Sequence, residues 1–244
     1  MKKIFFAILF TAAFSNISFA DNAKQMRVLV YYKTNGWRHD CIPAGIAAIQ
    51  KLGRENNFAV DTTADSSAFT KENLKKYAAV IFLNTTGNVL NNEQQKIFED
   101  YIENGGGFVG VHSATDTEYD WPWYNKLVGA YFKDHPKQQY AVLHVVDSNF
   151  IATKKLPATW KRFDEWYNFK QTKWDSVHVL ITIDETSYTG GENGSFHPMS
   201  WYHNYDGGRA FYTELGHTIE SYSDPLYLSH LLGGIEYAMK GTMH

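Results

Sequence analysis

The residues of this chain best suited to chemistry follow a glycine-rich segment, Gly105 to Val111. His112 comes directly after it, and Ser113 and Asp116 follow within a few residues. Glycines allow a tight turn, and the bulky apolar residues before His112 are typical of a buried parallel strand. Histidine titrates near neutral pH, so His112 at the end of such a strand is a candidate acid, base or metal ligand. A histidine that only forms a hydrogen bond at the end of a strand fits the same pattern.

Other polar residues follow other predicted strands. His39 comes after Trp37, shortly beyond the first strand, and Asn84 directly follows the third. Ligands of open parallel sheets bind at the carboxyl ends of the strands, so we expect these residues to lie near His112 and Asp116. The candidate residues later in the chain are His135, Glu165, His197, Trp201, Arg209 and His217.

A cluster of histidines and carboxylates permits two kinds of chemistry. It can hold zinc or a similar divalent ion, or its members can act as a metal-free acid and base. The spacing does not decide between them, because the sequence contains no His-x-x-x-His pair and no Cys/His knuckle. A divalent metal therefore remains an option as a cofactor, with His112, Asp116 and His39 as candidate ligands.

The acidic pair Asp164-Glu165 lies beside Trp166 and Tyr167. A carboxylate next to apolar surface has its pKa raised, so the pair could supply a general base with an aromatic platform for a sugar ring. A solvated turn fits the pair equally well. Arg209 follows two glycines and could bind an anionic or hydroxyl-rich ligand, or could stabilise the start of a strand.

The pattern of apolar residues predicts alternating strands and helices in the first half of the chain. The predicted strands there are Met26–Tyr32, Phe58–Thr62, Ala78–Leu83 and a segment ending at Val111, and the predicted helices are Ala44–Asn57 and Asn91–Asn104, the latter capped by Asn91 or Asn92. This alternation predicts an α/β fold with right-handed crossovers and a doubly wound, mostly parallel sheet. The second half is expected to add strands, some of them antiparallel, at Gln139–Val146, Val177–Ile183, Met199–His203 and Arg209–Thr213, and a closing helix at Pro225–Met239.

Composition restricts the partners of the protein. At 244 residues and 44% hydrophobic, the chain can bury the core of one α/β domain, expected over residues 21–244. A net charge of -3 without a block of like charges argues against nucleic acid and anionic membrane surfaces. Aromatic residues make up 16%, which suits stacking on sugar rings or, where the rings are exposed, a homo-oligomer interface. The single cysteine, Cys41, cannot form an internal disulfide.

The first twenty residues have the pattern of a secretory leader. Lys2 and Lys3 precede an apolar run, and Ser18 and Ala20 are the small residues that a signal peptidase reads. The apolar run is shorter than the roughly 20 residues of a membrane span. We therefore expect cleavage near Ala20 and a mature protein, free of membrane segments, in the periplasm or outside the cell.

In its motifs the chain resembles the trehalose-utilisation, or ThuA-like, family, whose fold is that of class I glutamine amidotransferases. The resemblance extends from about Arg27 to Gly241. The motifs that carry it are Trp37-Arg38-His39, Gly105 to Ala114, Asp164-Glu165 with Tyr167, His197-Pro198 with Trp201, and Gly208-Arg209 through Tyr212 to Thr218. The resemblance implies a flavodoxin-like three-layer α/β sandwich.

The comparison with amidotransferases implies a changed chemistry. Those enzymes carry a cysteine nucleophile on the turn after the central strand and a histidine on a late strand. Here His112 stands in the cysteine position, and His217 resembles the late histidine. Glutaminase chemistry through a thioester is thereby excluded, and Cys41 cannot replace the missing thiol because it lies at the start of the first helix.

The resemblance also implies a substrate class, because family members occur in sugar catabolism and the founding type is associated with trehalose and 3-keto sugars. We expect an exported protein that acts on a sugar or 3-keto-glycoside by isomerisation, elimination or hydrolysis. The residues expected to be catalytic are His112, His217, Glu165 and Asp116. The residues expected to contact the sugar are Trp37, His39, Asn84, His135, Trp166, His197, Trp201 and Arg209. A non-catalytic carbohydrate-binding module and a metal-dependent hydrolase of other small substrates are the alternatives.

Overall fold

The computed structural model describes residues 25–243. The expected leader, residues 1–20, lies outside the described residues. Over residues 25–243, no helix is both long enough and apolar enough to cross a membrane.

A large mixed sheet forms the centre of the fold. The strands of the described chain are β1 (Arg27–Tyr31), β2 (Ala59–Thr63), β3 (Ala79–Leu83), β4 (Gly107–Val111), β5 (Tyr131–Asp134), β6 (Gln139–Val145), β7 (Thr159–Asp164), β8 (Asn168–Lys170), β9 (His178–Asp184), β10 (Pro198–Tyr205) and β11 (Gly208–Thr213). Nine of them form one sheet in the order β2-β1-β3-β4-β11-β10-β9-β6-β7, and β5 pairs with β8 in a separate ribbon. Neighbours from β2 to β11 run parallel, and neighbours from β11 to β7 run antiparallel.

Helices flank the sheet. They are α1 (Ile42–Glu55), α2 (Lys71–Leu74), α3 (Asn92–Glu103), α4 (Pro122–Val128) and α5 (Pro225–Lys240). Helix α1 packs on β2, and α5 packs on β4 and β11. Asn91 caps α3 through reciprocal hydrogen bonds with Gln94, as the sequence predicts. Every residue of β3 and β4 is buried, which is typical of parallel strands covered on both faces.

The predicted fold class is confirmed, and the predicted strands and helices agree with the structure to within about two residues at each end. The structure adds β5, β7, β8, α2 and α4, which the sequence pattern did not predict. Strand β7 alternates between exposed and buried residues, but two of the buried ones are Arg162 and Asp164. The alternation of apolar and polar residues that predicts a strand is therefore missing from it.

Two glycines, one in the turn before β4 and one at the start of β4, are needed for different reasons. A Cβ on Gly107 would lie 2.2 Å from the backbone oxygen of Ala238 on α5 and 3.0 Å from that of Ala78. Gly105 has φ of +90° and open space where its Cβ would stand. Glycine at position 107 therefore allows α5 to approach the sheet, whereas glycine at position 105 allows a left-handed backbone.

We expect Gly107→Ala to lower the free energy of unfolding by about 3 kcal/mol or more, because the added methyl meets backbone atoms that must move. Gly105→Ala is the matched control, with an expected loss of about 1–2 kcal/mol from the left-handed conformation alone. Urea unfolding of both variants and the unsubstituted protein measures the difference. Equal losses would contradict the packing argument.

The core contains a histidine outside the candidate site. His230 on α5 is fully buried, with Nδ1 2.9 Å from the carbonyl oxygen of Ala152 and Nε2 3.1 Å from Thr213 Oγ1. Burial lowers the pKa of His230 to about 4. The folded protein therefore keeps this ring neutral at a pH where the unfolded chain protonates it, below about 6.5.

The free energy of unfolding is expected to fall as the pH drops from about 6.5 to about 4, because the unfolded chain binds a proton that the folded protein excludes. His230 contributes about 1–3 kcal/mol of this loss. In His230→Gln, which cannot titrate, the loss over that range is expected to be smaller, whatever the variant's stability at neutral pH. Urea denaturation at a series of pH values gives the dependence of the free energy of unfolding on pH for the variant and for the unsubstituted protein. Identical dependences would refute the contribution of His230.

Candidate active site

The turn after β4 brings His112 to the carboxyl edge of the sheet. His112 has φ of +49°, in the left-handed region that residues other than glycine rarely adopt. Pairing of β4 with β3 and β11 holds the strand on both sides. The hydroxyl of Tyr212 donates a hydrogen bond of 2.7 Å to the carbonyl oxygen of His112. A strained residue held in place in this way is common at functional sites.

Four side chains converge beyond this turn. His39, His112, Glu165 and His217 each offer one nitrogen or oxygen atom, and these four atoms lie within 4.8 Å of one another. His112 Nε2 lies 3.1 Å from His217 Nδ1 and 3.4 Å from Glu165 Oε2. Glu165 Oε2 lies 3.0 Å from His217 Nδ1. The predicted ligand candidates His112 and His39 belong to this four-residue cluster, whereas Asp116 lies outside it.

His112 is fully buried, and its tautomer is fixed from behind. Its Nδ1 lies 2.7 Å from the backbone oxygen of Glu214. A carbonyl oxygen can only accept, so Nδ1 carries the proton and donates it. In the neutral ring the lone pair of Nε2 is then directed into the four-residue cluster.

Glu214 lies under this bond and is fully buried. Burial raises the pKa of Glu214 well above its ordinary value, and the nearby Asp164 carboxylate adds to the effect. The backbone N–H of Tyr167 donates to Oε1 of Glu214, at 3.1 Å. Oε2 of Glu214 has no hydrogen-bond partner among residues 25–243. Burial therefore disfavours a negative charge behind His112.

Asp164 positions two residues of the cluster. It is fully buried, and its carboxylate accepts backbone N–H groups from Glu165 at 3.1 Å and from Gly216 and His217 at 3.2 Å each. Arg162 donates to it at 2.8 Å. Because Asp164 and Glu165 are both buried, the pair does not form a solvated turn.

The protonation states within the cluster follow from its crowding. Burial acts to raise the pKa of Glu165, but hydrogen bonds and positive charge from His112 and His217 outweigh burial and lower it. Burial and the two neighbouring imidazoles lower the pKa of His39 to about 2. At neutral pH the cluster therefore contains an ionised carboxylate and a neutral His39.

The four-residue cluster lies at the floor of an open cleft of about 1230 Å³. His39, Glu165 and His217 line this cleft, together with the predicted site residues Trp37, Asp116 and His135. The other lining residues are Asp40, Cys41, Phe132, Gln138, Tyr140, Phe163, Tyr167, Thr218, Ile219 and Glu220.

Two further titratable groups stand beside the cluster. Burial raises the pKa of Asp116, against the effect of Tyr119, whose hydroxyl donates to its carboxylate at 2.6 Å. His135 Nδ1 lies 3.3 Å from Glu165 Oε1. Both groups face the cleft, so a bound molecule would meet them as well as the four-residue cluster.

Three of the aromatic residues expected to contact a sugar are buried instead. Trp166, Trp201 and His197 do not line the cleft and have no exposed surface. The indole N–H of Trp201 donates to the carbonyl of Val128 at 2.9 Å, and His197 Nε2 donates to the carbonyl of Tyr167 at 2.8 Å. Large aromatic rings whose polar atoms are satisfied inside the protein act as packing residues.

Asn84 and Arg209 also lie away from the cleft. Asn84 is buried, and its amide nitrogen contacts the Cys41 thiol at 3.3 Å. Arg209 stands at the start of β11, at the opposite edge of the sheet from His112. Its side chain donates to the carbonyls of Gly105 at 2.8 Å and Ala238 at 2.9 Å. It therefore ties the glycine turn to α5.

Several cleft residues were not indicated by the sequence pattern, notably Phe132, Gln138, Tyr140 and Phe163. Tyr140 and Phe163 are opposite each other on β6 and β7, and they expose 62% and 41% of their surface. Aromatic residues at outward positions of an alternating strand would have been the signal. It went unrecognised because β7 itself was not predicted.

Cys41 is not a substitute nucleophile. It is buried at the start of α1, with its Sγ 3.4 Å from the carbonyl oxygen of Gly216. Burial raises the pKa of the Cys41 thiol to about 12. The thiolate, which is the reactive form of cysteine, is therefore scarce at neutral pH.

Two solved structures are similar to this protein over most of both chains. A ThuA-like protein from Bacteroides uniformis ATCC 8492 is 27% identical, with a TM-score of 0.76 over 90% of this chain and 94% of that chain. A ThuA-like protein from Parabacteroides merdae ATCC 43184 is 22% identical, with a TM-score of 0.72 over 90% of this chain and 92% of that chain.

A more distant similarity concerns the fold alone. The glutaminase domain of Trypanosoma brucei CTPS, solved with bound acivicin, is 10% identical, with a TM-score of 0.52 over 90% of this chain and 95% of that chain. No curated protein matches the sequence. The profile of the ThuA family, described as trehalose utilisation, matches residues 27–238. The chain therefore belongs to the ThuA family of trehalose-utilisation proteins.

Proposed function

We propose that this protein is an enzyme of carbohydrate utilisation that acts on a 3-keto-glycoside. The observation that carries the proposal is the convergence of three histidines and Glu165 at the floor of an open cleft. Polar and titratable groups that converge in this way are the usual arrangement of an active site. Membership of the trehalose-utilisation family supports a carbohydrate as the substrate class.

The walls of the cleft support a sugar ligand. Trp37 exposes 72% of its surface, and Tyr140 and Phe163 are exposed side by side, with their rings 5.3 Å apart. Exposed aromatic rings of this kind stack against the apolar faces of sugar rings, while the hydroxyl groups at the edges of the sugar remain hydrated. The cleft is larger than the roughly 300–1,000 Å³ of a typical small-molecule pocket, so it has room for a disaccharide.

Proton transfer next to a carbonyl is the chemistry that the cleft residues support. In the proposed step, the C–H bond beside the keto group breaks and its proton passes to the Asp116 carboxylate. The electron pair of that bond forms the C=C bond of an enediolate, and the carbonyl π electrons move onto the oxygen. A hydrogen bond donated by an imidazole that lines the cleft stabilises that oxygen. Return of the proton to the former carbonyl carbon, while the hydroxyl on the neighbouring carbon loses its proton, gives an isomer. Departure of a group from the carbon next to the C=C bond, with the electron pair of its bond, gives elimination.

In this proposal the roles fall to different residues. Asp116 suits the role of general base because it faces the cleft and because burial raises its pKa. His217 lines the cleft, and its imidazole is the group that we assign to the substrate oxygen. His112 is fully buried, so it acts on the substrate only through His217 and Glu165.

We also propose that the protein works outside the cytoplasm, after removal of residues 1–20. The basic start, the short apolar run and the small residues before position 21 support export.

Replacing Asp116 by Asn is expected to lower kcat for 3-keto-trehalose by about 10²–10⁴-fold, because the base is lost. The KM should change little, since the amide keeps the size of the carboxylate. Steady-state kinetics, with Asp120→Asn as an exposed acidic control on the same segment, make the comparison.

Three outcomes of this assay would count against parts of the proposal. Full activity in Asp116→Asn would remove Asp116 as the base. Binding of 3-keto-trehalose without turnover would favour a non-catalytic carbohydrate-binding module. Neither binding nor turnover by the unsubstituted protein would remove the 3-keto-glycoside as the substrate class.

When the full gene is expressed in a Gram-negative host, the purified protein is expected to begin near Asp21. Mass spectrometry of the intact protein from the periplasmic fraction measures the start directly. Ala20→Tyr should block cleavage, because the peptidase requires a small residue there. A protein that keeps Met1 and stays in the cytoplasm would refute export.

A further inference from the structure

Three of the cluster atoms already have the separations of ligands around one ion. Nitrogen and oxygen ligands lie about 2.0–2.2 Å from zinc, which places neighbouring ligand atoms about 3.0–3.6 Å apart. The three distances among His112 Nε2, His217 Nδ1 and Glu165 Oε2 are 3.0, 3.1 and 3.4 Å. The fourth residue, His39, brings its ligand atom within 4.8 Å of the others.

The proton positions leave lone pairs facing one another. His112 donates its Nδ1 proton to the carbonyl of Glu214, so the Nε2 of the neutral ring has none to offer. That lone pair faces His217 Nδ1 at 3.1 Å and a carboxyl oxygen of Glu165 at 3.4 Å. A single proton can lie on only one of the three lines between these atoms, whereas a cation at their centre contacts all three.

The surroundings of His112 and His217 match those of metal-bound histidines. Such rings commonly donate the N–H that does not face the metal to a carbonyl or a carboxylate, which fixes the tautomer and the ring orientation. His112 does this through Glu214. The far nitrogen of His217, Nε2, lies 2.8 Å from the amide nitrogen of Gln138, and a flip of that side chain exchanges its nitrogen and oxygen. With the amide flipped, its oxygen accepts the N–H of Nε2 and leaves Nδ1 free for the cluster.

The chemistry of the ligands selects the class of ion. Three imidazoles and one carboxylate suit zinc and its first-row neighbours, while magnesium and calcium prefer oxygen ligands throughout. Cys41 and Asp116 stand near but outside the group.

We propose that His39, His112, His217 and Glu165 bind one divalent transition-metal ion, with zinc as the expected ion. His39, Glu165 and His217 line the cleft, so a bound molecule can approach the ion from that side. The binding itself does not depend on the sugar substrate. The role of the ion rests on the proposed function. Its charge polarises the keto oxygen of an α-hydroxy ketone, and the oxygen of the adjacent hydroxyl is a second ligand atom for the ion.

The test uses the untagged mature protein, freed of metal with a chelator and then titrated with zinc chloride by calorimetry. We expect one ion per chain. His217→Gln and Glu165→Gln should each weaken binding by at least about 100-fold, since each removes a ligand and loss of a supporting residue alone costs about 10–100-fold. His144→Gln, a histidine on the exposed side of β6, is the matched control and should bind as the unsubstituted protein does.

A second measurement covers the case in which a variant fails to fold. X-ray absorption of the zinc-loaded, unsubstituted protein is expected to show nitrogen and oxygen neighbours with the outer scattering of several imidazole rings. Scattering by sulfur would place Cys41 on the ion and overturn the ligand set.

The remaining outcomes separate this proposal from the proposed function. No zinc binding by the unsubstituted protein, or equal binding by His217→Gln, Glu165→Gln and His144→Gln, would overturn the metal site. Full activity on 3-keto-trehalose after removal of metal would overturn the role of the ion. One tightly bound zinc without turnover of the keto-sugar would instead support the site and count against the proposed function.

Discussion

The site depends on one hydrogen bond, from Nδ1 of His112 to the backbone carbonyl of Glu214. The two residues are far apart in sequence, and they meet because β4 and β11 are adjacent parallel strands that end at the same edge. The bond fixes which nitrogen of His112 carries the proton and turns the other nitrogen towards Glu165 and His217. His112 has a left-handed backbone at this position, which the Tyr212 hydroxyl and the flanking strands stabilise.

A buried ion pair positions two other members of the cluster, Glu165 and His217. Arg162 and Asp164 are both buried and lie 2.8 Å apart. The guanidinium of Arg162 also lies over the rings of Trp160 and Tyr227, at 4.7 and 5.3 Å. Removing two charges from water is costly, so such a pair is weak support for overall stability. Its effect here is positional, because the same carboxylate holds the backbone of Glu165 and His217.

The parallel half of the fold could be predicted from the sequence because most of its strands are continuous apolar runs separated by helices with one apolar face. That topology was enough to place His39, His112 and Asp116 at one edge. It could not distinguish the residues that face the cleft from Asn84. Asn84 also follows a parallel strand, but its side chain points inwards and contacts Cys41 and Tyr222. The antiparallel half was harder, because Arg162 and Asp164 occupy the buried positions of β7. The exposed aromatic rings of that half, Tyr140 and Phe163, therefore could not be assigned to the cleft.

A histidine on the turn after β4 limits what that turn can do. A nucleophile on that turn must present its reactive atom to the cleft, yet His112 is fully buried, with one nitrogen bonded to Glu214 and the other facing the cluster. The single cysteine, Cys41, is buried and keeps its proton at neutral pH. Both routes to a covalent intermediate through these two residues are therefore closed. What the arrangement retains is an ionised carboxylate among imidazoles beside Asp116, which favours chemistry by charge stabilisation and proton transfer over chemistry by nucleophilic attack.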